Sequence, residues 1–583
     1  MSENNTSTEI PPSVGVKSKS TAKSTNEGQL TNHEPINVDD LLERIVRPAG
    51  MWQWTIVLLL MFSGCNPIIF PIYANSVSPH RCRMEAGIEE YIMEHNVSFA
   101  EVACRIGPWS VYENKTVNVH ERGCSRFKVN WTEFDLDQLF EGNSRILQIA
   151  HELEQCPFGY VHEESDQHYP GNVVKGFETV CEKSWLVPLG TSLYLLGMSI
   201  AFMIGGWCAG KFGRRRTLIV AFFFEAIAAV WVSLSPNYIS YVLARMFLAM
   251  SNVSRLSVAS VYMIEMTVAR YRSMYSSFLS FGLYSMYNGL TALWAYLIPN
   301  WRLLHVVMMT PGLLSLSYIC YLPESPRWLV SQDRYADALK TLKRGYRINN
   351  PRKSRDGEGE LEEIFGNFVR PDELVTRSVR TVNEGNVGSR TGAGRCLLKL
   401  TILAILVHFF TGLCNFGFLF YATAVKYYIY LVGVMNALTA IPANLLFALV
   451  YRYVRSRKRP LQALILLSGV TLLTSSLYTV IGRPTTDVAI TVGTNIALVL
   501  MGAVKSMLCV YIPELFPSDI RTQRTGLALS ISRIGVMLCT FINEMDYYLG
   551  HGVPLIIYTA ILALLFICFL FMPDTTGENL PDF

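Results

Sequence analysis

The chain has 583 residues, of which 51% are hydrophobic and only 16% charged, with a net charge of +4. Soluble domains carry about 25% charged residues, so this composition excludes an ordinary soluble protein. The net charge is too small to suggest a nucleic-acid binder.

Residues 1–50 are rich in Ser, Thr, Asn and Lys and hold no apolar core of a signal peptide, so they read as a disordered cytoplasmic tail. Long apolar runs follow, at 52–72, 187–209, 217–235, 239–264, 275–298, 303–322, 397–421, 428–450, 461–481, 488–511, 525–543 and 551–572. Each is close to the ~20 residues that cross a hydrocarbon core of about 30 Å. They are numbered here as spans 1 to 12. The expected fold is an all-α membrane protein of twelve transmembrane helices in two six-helix halves, 51–322 and 397–572.

Basic residues crowd the turns after spans 2, 4, 8 and 10: Lys211 to Arg216, Arg270 to Arg272, Arg452 to Arg459, and Arg521 with Arg524. The opposite turns nearly lack them. The positive-inside rule then predicts both termini in the cytoplasm, including the short tail 573–583.

Between spans 1 and 2 lies the loop 73–186, expected outside. It holds the sequons Asn96, Asn114 and Asn130, and five of the 13 cysteines: Cys82, Cys104, Cys124, Cys156 and Cys181. Sequons are glycosylated only on lumenal surface, and clustered cysteines in an oxidising compartment form disulfides. Five is odd, so one thiol is free, pairs with another chain, or partners Cys65 of span 1. Asn4, Asn5 and Asn252 also begin sequons but fall in the tail and in span 4, where they should stay bare. The inside loop 323–396 opens with an interfacial helix, Trp328 to Arg344, and continues as a polar, Gly-rich linker from Pro351 to Glu360 and beyond.

The two halves repeat each other. Glu265 and Glu514 each precede an arginine by seven residues (Arg272, Arg521), at an offset of 514 − 265 = 249. The exits of spans 6 and 12 begin at Pro323 and Pro573, an offset of 573 − 323 = 250. Parallel six-helix repeats with a site at their interface are a transporter plan.

The segments Gly206 to Arg215 (GWCAGKFGRR), Ser235 to Tyr238 (SPNY), Pro323 to Leu329 (PESPRWL) and Glu514 to Arg521 (ELFPSDIR) resemble those of the organic cation/anion/carnitine transporter family of the major facilitator superfamily. The resemblance runs over roughly residues 40–577. It implies a plasma-membrane carrier of small organic ions that works by alternating access. Glu265, Glu324 and Glu514 would then face Arg214, Arg215, Arg272, Arg327 and Arg521 as a cytoplasmic gate. The plainer alternative is a set of positive-inside anchors with incidental carboxylates. Where that family has an aspartate in the first motif this chain has Gly210, and Arg524 stands where a glycine is common.

Span 11 carries Arg533 near its centre, where an arginine costs about 2.5–3.5 kcal/mol on insertion scales. Within the resemblance, the position nineteen residues after Glu514 is an aspartate in the cation-carrying branch and an arginine in the anion-carrying branch. A guanidinium in a wet cleft binds carboxylates bidentately, so anionic substrates are favoured. Alternatively Arg533 pairs with Glu225 of span 3, the other conspicuous intramembrane charge. Lys505 of span 10 adds positive potential or meets a structural partner. His408 is a proton-linked group or simply hydrogen-bonded, and Asn444 stands where the anion branch tends to be cationic. The resemblance points to Tyr284, Tyr287, Asn288, Phe416 and Phe420 as cavity positions.

The expected partners are a small organic ion and the bilayer. No nucleic acid, nucleotide or cofactor is expected, since no phosphate-binding loop appears, and nothing fixes an oligomeric state. No nucleophile–base or metal cluster marks an enzyme. Two other readings stand beside an anion carrier: a carrier of cations or carnitine-like zwitterions with Glu225 as counter-charge, and a non-transporting receptor or scaffold derived from a transporter.

Overall fold

A computed structural model describes residues 38–574 apart from 110, 113–114, 117–121, 132–151, 164–168, 352–355, 367–389, 422–427, 455, 483–485 and 517. Eleven helical stretches among the described residues are long and apolar enough to cross a membrane, from Met51–Ala74 to Val553–Leu570. They fall on the predicted spans other than span 5. That span is helical too, but a π-helical stretch, Phe281–Met286, interrupts it between the helices Ala269–Ser280 and Tyr287–Leu297. Such irregular turns inside a helix often mark functional sites.

Span 1 is also broken. Its helix Met51–Ser63 stops at Gly64, whose backbone is extended, and resumes as the turn Pro67–Ile69 and the helix Phe70–Ala74. Pro67 cannot donate to the preceding turn, so the carbonyls before it need other donors.

The halves meet where span 2 packs on span 11 and span 5 on span 8. The first seam is held by small hydroxyls: Ser192 Oγ lies 2.7 Å from Thr540 Oγ1, and Ser199 Oγ donates to the Ser530 carbonyl at 3.2 Å. Small residues let two membrane helices approach closely, and in lipid each such bond is worth roughly 0.6–2 kcal/mol.

Several expectations are corrected here. The tail does not run unstructured to residue 50: Val38–Leu41 and Leu42–Val46 are helical. Val38, Leu41, Leu42, Ile45 and Val46 are buried, and the Asn349 amide donates to the Val46 carbonyl while accepting from Trp52 N–H. The interfacial helix is two helices, Pro326–Ser331 and Tyr335–Asn349, split at Asp333, whose φ is +56°. Part of the linker is a helix, Asp356–Gly366, which buries Leu361 and Phe365.

The loop 73–186 departs from pure α structure. Among the described residues it carries three short antiparallel ladders: His80–Cys82 with Tyr160–His162, Val111–Tyr112 with Lys115–Thr116, and Ser125–Phe127 with Leu153–Gln155. Two disulfides tie the first and third ladders together and to the end of the loop, Cys82–Cys156 and Cys124–Cys181. Cys104 is free and exposed, so its place among the disulfide candidates is corrected, and Cys65 is buried away from the loop cysteines as a free thiol. Asn96 and Asn130 are exposed, and Asn114 lies outside the described residues.

Candidate functional site

Arg533 stands where the halves meet. Its guanidinium lies 4.9 Å from the ring centre of Phe202 on span 2 and 5.4 Å from that of Phe416 on span 7, so it touches a ring from each half. Lys505 Nζ sits 5.7 Å from the same Phe416 ring, and Phe420 follows one turn on with its ring centre 6.0 Å from Phe416. Cys509 lies one turn from Lys505 on span 10. Two fixed positive charges thus converge on an aromatic wall, which attracts them weakly through its π face. Phe202 was not among the sequence candidates, since one phenylalanine in a lipid-compatible span carries no distinguishing signal.

Glu225 is not part of this cluster, nor does it pair with Arg533. It is 2% exposed and accepts from Arg255 of span 4, through Nε at 2.5 Å and Nη2 at 2.9 Å, and from Asn252 Nδ2 at 2.9 Å. The same two residues cap the break in span 1: Arg255 Nη1 donates to the Ser63 carbonyl at 3.0 Å, and Asn252 Nδ2 to the Cys65 carbonyl at 2.8 Å. Irregular backbone at membrane depth persists only where its polar groups are satisfied, and this trio satisfies them. The expectation that Glu225 contacts substrate as a counter-charge is corrected accordingly: its carboxylate is engaged by Arg255 and Asn252.

Tyr287 and Asn288 belong to that same region rather than to the Arg533 cluster. Tyr287 is buried beside the Cys65 thiol, and Asn288 Oδ1 accepts from Asn66 of the span 1 break at 3.3 Å. The Tyr284 side chain lies outside the described residues, in the π-helical stretch of span 5.

At the end bearing the basic turns, Arg214 forks onto Glu265, with Nη2–Oε1 at 2.7 Å and Nε–Oε2 at 2.9 Å. Glu324 caps the start of span 3, accepting from the N–H groups of Arg214 at 2.8 Å and Arg215 at 3.1 Å. A carboxylate there complements the helix dipole. Gly213 makes the approach possible: its φ is +99°, and a Cβ would stand 2.6 Å from Glu324 Oε2. Arg327 donates to the Thr267 carbonyl at 2.7 Å, and Trp328 Nε1 to the Gly210 carbonyl at 2.8 Å. Arg272 is half-buried at the head of span 5. These contacts join the first half to the start of loop 323–396, so they brace spans 2, 3 and 4 and the exit of span 6 together. The side chains of Glu514 and Arg521 lie outside the described residues. At Gly210 a Cβ would meet open space.

At the opposite, loop-bearing end the halves close on tyrosines. Tyr73 of span 1 stacks on Tyr430 of span 8 at 6.2 Å, and Tyr296 of span 5 meets Tyr430 edge-on at 5.5 Å. Gly433 admits the Tyr73 hydroxyl, since a Cβ there would stand 1.9 Å from it. Composition hid this plug, because 12% of the residues are aromatic and single rings do not stand out.

Beside it, span 12 begins at Val553 and not at 551, because Gly550 and Gly552 both adopt positive φ. His551 therefore sits in a turn, bridging Asp487 (Nε2–Oδ2, 3.0 Å) and Asp546 (Nδ1–Oδ2, 2.8 Å). Burial alone would lower its pKa, but hydrogen bonds to Asp487 and Asp546 and the charges of both carboxylates outweigh it and raise it to about 9. A raised pKa stabilises the fold fully below the unfolded value of about 6.5 and loses that contribution as pH climbs through the folded value. The melting temperature of the purified protein should therefore fall between about pH 7 and pH 10. His551→Gln should flatten that fall; an unchanged profile in the variant would assign the pH response elsewhere.

A profile of the family described as "Sugar (and other) transporter" matches residues 150–583. Among curated proteins, the chain is 25% identical to Homo sapiens solute carrier family 22 member 12, over 92% of this chain and 94% of that protein. It is 26% identical to the Homo sapiens organic cation/carnitine transporter 2 over 74% of each. It is also 26% identical to Rattus norvegicus solute carrier family 22 member 2 over 94% of each. Among solved structures, the inward-open conformation of the xylose transporter XylE from E. coli superposes with a TM-score of 0.51 at 19% identity, covering 68% of this chain and 88% of that one. That likeness speaks to the fold. With the profile spanning most of its length, the chain belongs to the sugar (and other) transporter family and is a multi-pass membrane transporter of the major facilitator fold.

Proposed function

We propose that the protein carries small organic anions across the plasma membrane by alternating access, with both chain ends in the cytoplasm. The observation that carries this reading is the convergence of Arg533 and Lys505 on Phe416, with Phe202 of the other half against the same guanidinium. An aromatic carboxylate satisfies both features at once, its anion on the guanidinium and its ring on the phenylalanines. Because Arg533 touches both halves, its contacts must change when the halves rock, which is how a bound ligand biases one state over another. The basic turns and the three sequons of loop 73–186 support that orientation.

The cation or zwitterion reading needs Glu225 as its counter-charge, and that carboxylate is engaged by Arg255 and Asn252. The receptor reading draws on Gly210, where the resemblance expects a carboxylate and the space stands open; transport assays separate it. A charge-assisted hydrogen bond is worth about 1.5–3 kcal/mol, so Arg533→Ala should cut uptake of an aromatic carboxylate by about ten- to a hundredfold. Arg533→Lys should keep part of it at equal surface expression. Equal uptake by Arg533→Ala and wild type would remove the residue from the site.

A further inference from the structure

A hollow lies apart from the Arg533 cluster, between spans 3 and 6, with a volume of about 220 Å³. Phe222, Ala226 and Ala229 line it from span 3 and Met309 and Gly312 from span 6, and the buried Glu225, taken as its floor, also lines it. Its rim faces outward from the bundle: Val230 is 58% exposed, Val306 48% and Leu313 55%. In a membrane transporter that direction is lipid. The hollow exists because span 6 tightens into a 3-10 helix over Thr310–Ser317 just where span 3 offers two alanines.

We infer that this hollow binds a compact, uncharged, membrane-soluble alcohol of the alkylphenol kind, whose hydroxyl donates to Glu225. Charge is decided first. Glu225 is neutralised by Arg255, so the floor offers an acceptor without a net negative charge. A neutral donor fits that floor and an ammonium does not. Acceptor capacity agrees: an ionised carboxylate has about four lone-pair sites, and Asn252 Nδ2, Arg255 Nη2 and Arg255 Nε take three of them. At the rim Thr310 spends its hydroxyl proton on the Val306 carbonyl at 3.0 Å, leaving its oxygen to accept. Size is the third argument. An enclosed apolar cavity of about 150 Å³ holds benzene, and this hollow of about 220 Å³, open to lipid on one side, has room for a benzene ring bearing small alkyl groups. A rigid ring also loses less conformational entropy on binding than a flexible acyl chain, which lacks a donor as well.

The site has a route to the rest of the molecule. Its floor residue holds Arg255, and Arg255 caps the break in span 1. An occupant bonded to Glu225 therefore acts on the polar trio that keeps the broken helix in place.

The test uses the purified full-length protein in lipid nanodiscs with an alkylphenol carrying a photoreactive diazirine. Saturable labelling is expected within 222–230 or 306–313, displaced by an isopropyl-substituted phenol. Its methyl ether, which cannot donate, should compete about tenfold more weakly or worse. Ala226→Phe, which fills the hollow, should lose the labelling with an unchanged melting temperature; Leu313→Trp at the lipid-facing rim serves if that variant misfolds. Equal competition by the ether, labelling that persists in a folded filled variant, or labelling confined to other segments would each overturn the proposal. None of these readouts depends on uptake, so they stand apart from the anion-transport reading.

Discussion

Arg255→Met is expected to destabilise the protein by about 3–5 kcal/mol, the usual cost of removing one partner from a buried ion pair. Arg255 is 1% exposed and Glu225 2%, so the variant leaves a carboxylate charge with no route to water. It also strips the Ser63 carbonyl of its donor at the break in span 1. The loss should appear as a lower melting temperature in detergent and reduced surface expression. Adding Glu225→Gln removes the orphaned charge, so the double variant should regain part of the loss, and the two effects should not add. A single variant as stable as wild type, or additive losses in the double, would show that the trio does not act as a unit.

Gly433→Ala should impair transport by hindering closure at the loop-bearing end. The new Cβ would stand 1.9 Å from the Tyr73 hydroxyl and 3.0 Å from its ring carbon, and Tyr73 is 0% exposed, with nowhere to retreat. Overpacking of this kind costs about 1–3 kcal/mol, which would lower the population of the closed state by about five- to a hundredfold. Tyr73→Phe removes the clashing oxygen and should relieve the defect in the double variant. Reactivity of Cys509 toward a membrane-impermeant thiol reagent, in a Cys104→Ser background, reports the opening. It should rise in Gly433→Ala and return toward wild type with Tyr73→Phe. No rise, or no relief, would place the closure elsewhere.

The spans were readable because a bilayer imposes length and apolarity on every crossing helix. Prolines, glycines and lone charges inside them point to tilts and kinks, but not to where a helix breaks outright or what satisfies the break. Gly64 and Pro67 sit in an apolar run that reads as one helix, and the cost of breaking it is met by residues nearly two hundred positions away, Asn252 and Arg255. Glu225 stands out in the sequence as an intramembrane charge, but Arg533 of span 11 is not its partner. Arg255, the second charge inside span 4, was the signal for the pairing. The buried helix before span 1 was also visible: Val38, Leu41, Leu42, Ile45 and Val46 follow helical spacing, but the polar tail around them masked it. Likewise Leu361, Ile364 and Phe365 mark a helix within the stretch read as linker. The cationic cluster was half legible. Arg533 and Lys505 stand out because charge in an apolar run is rare, whereas the rings they meet look like any other core phenylalanine.

The most direct measurement is uptake by cells displaying equal amounts of wild type and Arg533→Asp, using a labelled aromatic carboxylate and a labelled quaternary ammonium. The expected result is carboxylate uptake by the wild type that vanishes in Arg533→Asp, with no ammonium uptake by the wild type. Ammonium uptake by the wild type that survives the charge reversal, without carboxylate uptake, would contradict an anion carrier built around Arg533.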